Sequence, residues 1–106
     1  MVKIEIVRNL AGAITGFSVK GHTNTAPHGE DIVCAGVSAL TQTAVLGLQE
    51  HLGRSCRLDI ASGRLCLELC DAPDGLTGAI LETMVLGLAE IAKMNSQSVH
   101  ILEHRR

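Results

Sequence analysis

The chain has 106 residues and a formal net charge of −2, enough for a single domain, residues 1–106, with one core and little to spare. Hydrophobic residues make up 46% of it, yet there is one Phe and no Tyr or Trp, so the core has to be aliphatic. Without a basic excess to meet phosphates, or aromatic platforms to stack bases, direct nucleic-acid binding is disfavoured.

Val2, Ile4 and Ile6 alternate with Lys3 and Glu5, the period of a strand with one wet face. That start lacks the basic stretch and apolar block of a signal peptide, so a cytoplasmic location is expected. Asn9 to Gly12 reads as a turn. The second strand, roughly Ala13 to His22, sets Phe17 and Val19 on one face and Ser18, Lys20 and His22 on the other. The two strands should form a hairpin. Residues 23–30 hold Asn, Pro, Gly and His without apolar periodicity, an irregular loop of the kind that often carries function.

Asp31 can cap the helix that follows, which leaves Cys34 at its third position. Val33, Val37, Leu40, Ala44 and Leu48 form one stripe, and the helix should end near Gly53. Residues 32–49 carry no charge, but Ser38, Thr41, Gln42, Thr43 and two glycines fit a buried helix better than a membrane span.

Cys56, Leu58 and Ile60, the Ser62-Gly63 turn, and Leu65, Leu67 and Leu69 predict a second hairpin. Asp71 to Gly75 is a break and a helix-start signal. A second helix follows, about Leu76 to Lys93, with Leu76, Ile80, Met84, Gly87, Leu88 and Ile91 on one face. Val99 and Ile101 give a last short strand before a charged tail. The order β-β-α-β-β-α-β predicts an α+β fold, a sheet of about five strands with both helices packed on one face. Ile32, Leu46, Leu81, Val85 and Leu86 add apolar surface beyond a single stripe, which predicts a homodimer.

Four cysteines without a secretion signal are expected as thiols, with Cys56, Cys66 and Cys70 serving as small buried or half-buried hydrophobes. Cys34 differs from these. A thiol attacks only as thiolate, and a helix start or a neighbouring histidine can lower its pKa to roughly 3.5–7.5. Cys34 as nucleophile and His22 as general base and acid therefore make a candidate catalytic pair. Strict alternation aims His22 away from the helices, and Gly21 can turn the chain out of the pleat to bring it back. Asp31 is either a helix cap or a third group orienting His22. His28 reads as a solvated loop residue. Gly21, Gly29 and Ser38 are the candidate substrate-binding positions; Ser38 lies one turn beyond Cys34.

Gly21-His22 followed by Gly29-Glu30-Asp31-Ile32-Val33-Cys34-Ala35-Gly36-Val37-Ser38-Ala39-Leu40 resembles the ribosomal-processing cysteine protease Prp family. The resemblance spans essentially the whole chain. It implies a homodimeric α+β endopeptidase, without cofactor, that removes a short N-terminal extension from the large-subunit ribosomal protein L twenty-seven during ribosome assembly. It places the catalytic histidine on His22 and the nucleophile on Cys34; Asp31 and Ser38 match further motif positions. It also implies cleavage just after aromatic residues. Two other readings remain open on the residues alone. One is a metal site made of His22, His28 and Cys34, which lacks a compelling fourth ligand. The other is a non-catalytic ribosome-associated binding module using the apolar helix faces.

Overall fold

The computed structural model describes residues 1–21 and 28–106, with side chains in the second stretch described from residue 32 onward. The strands are β1 (Val2–Arg8), β2 (Ile14–Lys20), β3 (Cys56–Ala61), β4 (Arg64–Leu69) and β5 (Val99–Arg105). The helices are α1 (His28–Leu46), continued by a wider turn at Gly47–His51, and α2 (Gly75–Met94). The expected β-β-α-β-β-α-β order holds. The five strands form one mixed sheet in the order β3-β4-β2-β1-β5. All neighbours run antiparallel except β5, which lies parallel to β1.

Strand register gathers the alternating apolar residues on one face. Ile4 lies opposite Val19 and Ile6 opposite Phe17. Across the next ladder, Val19 meets Leu65 and Phe17 meets Leu67. All six are buried, and the helices add Val37, Leu48, Leu81 and Leu88 to the same cluster. Each such side chain contributes about 1.5–3 kcal/mol by leaving water. The helices therefore cover one face of the sheet, while Lys3, Glu5, Ser18, Cys66 and Glu68 occupy the other. Residues 32–51 and 75–94 are long and apolar enough to cross a membrane by length and composition. Here both helices bury Val37, Leu48, Leu81 and Leu88 in the protein core.

Arg8 ties three elements together. Its guanidinium donates to Glu82 of α2 at 2.7 and 3.0 Å and to Glu103 of β5 at 3.0 and 3.1 Å. It also donates to the Gly12 carbonyl at 2.9 Å. The hydrogen bonds from Arg8 hold the Glu82 carboxyl below its ordinary range, with partial burial opposing them.

Three expectations need correction. Leu76 is 59% exposed, and the buried stripe of α2 is Thr77, Leu81, Met84 and Leu88. A capping box sets this phase. The Asp74 carboxylate accepts from the backbone of Leu76 and Thr77, and the Thr77 hydroxyl accepts from the Asp74 backbone, which turns Thr77 inward. The last strand runs on through Arg105, because β1 offers it a full-length partner. Its His100, Glu103, His104 and Arg105 keep that outer edge polar. Cys70 lies just past β4 and is exposed, whereas Cys56 and Cys66 are half-buried.

Candidate active site

The site is built where β2 ends. Gly21 has φ 84, a left-handed backbone that takes the chain out of the pleat at the end of β2. Its backbone N–H donates to the Gly63 carbonyl at 3.2 Å. A Cβ at this position would run into the Met1 carbonyl oxygen. Only glycine meets both demands, the left-handed backbone and the close approach. The tip of the β3–β4 hairpin is thereby joined to the strand end from which His22 follows.

The second contributor is α1, and it starts earlier than the sequence suggested. The helix opens at His28, so Asp31 lies within its first turn and is not the capping residue. Two acidic residues among the first four suit a helix start electrostatically. Cys34 becomes the seventh helical residue, nearly two turns in. Helix-end charge effects fade within the first turn, short of Cys34. Cys34 is 6% exposed and packs with the aliphatic cluster, nearer the core than the stripe border expected from the sequence.

Ser38 is half-buried one turn beyond Cys34. Thr41, one turn further, is buried and donates to the Val37 carbonyl at 2.9 Å and the Ser38 carbonyl at 3.3 Å. The position of α1 depends on its close approach to α2, where a Cβ at Gly87 would press on Leu40 at 2.9 Å.

Between this side of α1 and the hairpin tip lies a cleft of about 130 Å³. Val19, Ser38, Thr41, Gln42, Ile60 and Leu65 are among its walls, with Gly63 at the rim. A larger groove of about 590 Å³ opens across Glu5, Ser18, Asp59, Cys66 and Glu68. Those residues lie on the sheet face away from the helices, so the groove is remote from Cys34. Its charges are matched locally, Arg57 to Glu68 at 3.3 Å and Arg64 to Asp59 at 2.5 Å.

The structure thus places Ser38 on a cleft between the helix carrying Cys34 and the hairpin tip to which Gly21 is hydrogen-bonded. His22 lies outside the described residues, as do the side chains of His28 and Asp31; Gly29 is placed only as part of the first turn of α1. Among the described residues, no three His, Cys, Asp or Glu side chains gather as a metal site, and no disulfide joins the four cysteines. The Cys56 thiol is pushed up by burial and by the neighbouring Cys70, which makes it a poor nucleophile. Sequence reasoning missed the hairpin tip. Gly63 reaches Gly21 only through the β2–β4 pairing, for which no local signal exists.

The family model of the cysteine protease Prp matches residues 1–100. The ribosomal processing cysteine protease Prp of Staphylococcus aureus is 27% identical over 104 residues, covering 95% of this chain and 97% of that protein. The crystal structure of that species' Prp with a substrate peptide superposes with a TM-score of 0.91 at 23% identity, covering 98% of this chain and 100% of the other. A second crystal structure, with a covalently linked product peptide, gives 0.88 at 24% identity over the same shares. The match runs through both hairpins, both helices and the cysteine-bearing block, and on that ground the chain belongs to the Prp family of cysteine proteases.

Proposed function

We propose that this chain is a cysteine endopeptidase that removes the N-terminal extension of the large-subunit ribosomal protein L twenty-seven during ribosome assembly. It works in the cytoplasm as a single-domain homodimer, with Cys34 as nucleophile and His22 as general base and acid. The observation that carries this reading is the near full-length similarity to a ribosomal processing cysteine protease, in a chain whose one described cysteine on α1 lies one turn before Ser38, a residue that lines a cleft.

The chemistry follows from the residue types. His22 takes the thiol proton, and the Cys34 sulfur attacks the peptide carbonyl. Backbone N–H groups hold the oxyanion. Collapse breaks the C–N bond as His22 returns the proton to the leaving amine, and water then hydrolyses the thioester. Asp31 orients the imidazole. Gly21, Gly29 and Ser38 line the path of the substrate, with Gly21 supported by its hydrogen bond to the hairpin tip. Homodimer formation is supported by Ile32, Leu46 and Leu86, all more than half exposed on the helices.

The test is incubation with a peptide spanning the extension junction, followed by mass spectrometry. Wild type should cut it once, while Cys34→Ala and His22→Ala lose about three to six orders of magnitude in rate with unchanged circular dichroism. Cleavage that survives Cys34→Ala overturns the mechanism.

A further inference from the structure

Strand register lines up charge on the sheet face away from the helices. Lys3 lies opposite Lys20, Lys20 opposite Arg64, and Lys3 opposite His100. Arg64, Lys20, Lys3 and His100 therefore form one row across β4, β2, β1 and β5, and all four are exposed. They point outward because their chain neighbours Leu65, Val19, Val2 and Val99 are buried in the core. Adjacent strands lie about 4.8 Å apart, so the row spans about 14 Å. Like charges directly opposite one another repel, an arrangement that gives the sheet no stability.

The next row relieves this repulsion only in part. Glu5 comes within 3.8 Å of Lys3, and Asp59 within 2.5 Å of Arg64. Lys20, between those two cations, has no ion pair among the described residues. The net charge of −2 conceals the row, because Glu50, Asp74, Glu82 and Glu90 all belong to the helical side. A repulsion that folding does not need, and that an external anion would cancel, fits a surface for a polyanion.

The row's surroundings narrow the anion. β1, β2 and β4 each have both neighbours in place, so no peptide can join them as a further strand. An acidic peptide would have to supply a run of carboxylates, whereas a phosphodiester chain carries a charge on every unit. The chain has no Tyr or Trp, and Phe17 is buried. Bases therefore find no stacking platform, and the contact is with phosphates alone. We propose that Arg64, Lys20, Lys3 and His100 form a docking row for the phosphate backbone of RNA, without regard to base sequence. The choice of RNA among polyanions rests on the reading of the substrate as a ribosomal protein; the row itself does not.

The experiment measures binding of a labelled twelve-nucleotide oligouridylate to the full chain by fluorescence anisotropy, between about 50 and about 200 mM salt. Three cationic contacts at roughly 0.7 each predict a slope of about −2 for log affinity against log salt. Lys3→Gln and Lys20→Gln should each weaken binding about three- to tenfold and flatten the slope by about 0.7. Both should melt no lower than wild type, since each relieves a repulsion. Lys93→Gln, an exposed change on α2, should bind as wild type does. No binding at the lowest salt, or equal losses in all three variants, overturns the row. So does displacement of the RNA by a twelve-residue polyglutamate at equal charge concentration, which would assign the row to acidic peptides. RNA binding that depends on Lys20, in a protein that leaves the junction peptide uncut, keeps the row and removes the protease substrate. Cleavage of that peptide without RNA binding removes the row alone.

Discussion

Gly21 carries more constraint than any other described residue of the site. Its φ of 84 and its contact with the Met1 carbonyl exclude a side chain, and its N–H fixes the distance to Gly63. Gly21→Ala should lower unfolding free energy by about 1–3 kcal/mol, measured by urea titration. It should also depress kcat/KM on the junction peptide by more than the loss of folded protein explains, because the displaced residue leads into His22. Wild-type kcat/KM in a folded Gly21→Ala protein would show that the strand end does not position His22, the proposed catalytic histidine. The break in the pleat at this glycine was partly legible beforehand, from the expectation that the chain turns there. Its second neighbour was not legible, because Met1 and Gly63 reach it only through strand pairing.

The elements themselves were largely written in periodicity. Alternation of period two marked β1 through β4, and breakers at Asn9, Ser62 and Asp71 separated them. The start of α1 was misjudged because Gly29-Glu30-Asp31 has no hydrophobic period to distinguish a polar first turn from loop, and Asp31 resembles a cap. At α2 the cap was legible and its effect on phase was not. The Asp74 carboxyl is held below its ordinary range, first by the Thr77 backbone and then by Arg54, 2.6 Å away. A carboxylate so depressed adds stability that is complete above its unfolded pKa of about 3.9 and lost as pH falls through the lower folded value. Asp74→Asn should keep a capping oxygen but lose the charge. Thermal melts should then show a lower midpoint at neutral pH and a shallower decline from pH 5 to pH 2. An acid slope equal to wild type would place the acid sensitivity elsewhere, with Glu82 the next group to test.

At the scale of the molecule, the apolar surface left on the helices was visible in the sequence, although Leu81 belongs to the interior and Leu86 to the exterior. Size-exclusion chromatography with light scattering should give twice the chain mass at micromolar concentration. Leu86→Glu, a change at a residue 69% exposed, should shift the protein to one chain mass without unfolding it. A wild-type monomer at that concentration contradicts the dimer. The cleft could not be foreseen, because it lies between α1 and a hairpin that meets it only after β4 has docked on β2.

The parallel ladder joining β1 to β5 bears on the order in which the protein is made. Val2 finds its partner in Val99 and Arg8 in Arg105, so β1, made well before β5, waits for it before its second edge is filled. Pairings this remote in sequence form slowly. A protease assembled this way gains its complete sheet only after translation has passed residue 105, so a nascent chain stalled short of that point carries β1 with one edge unpaired.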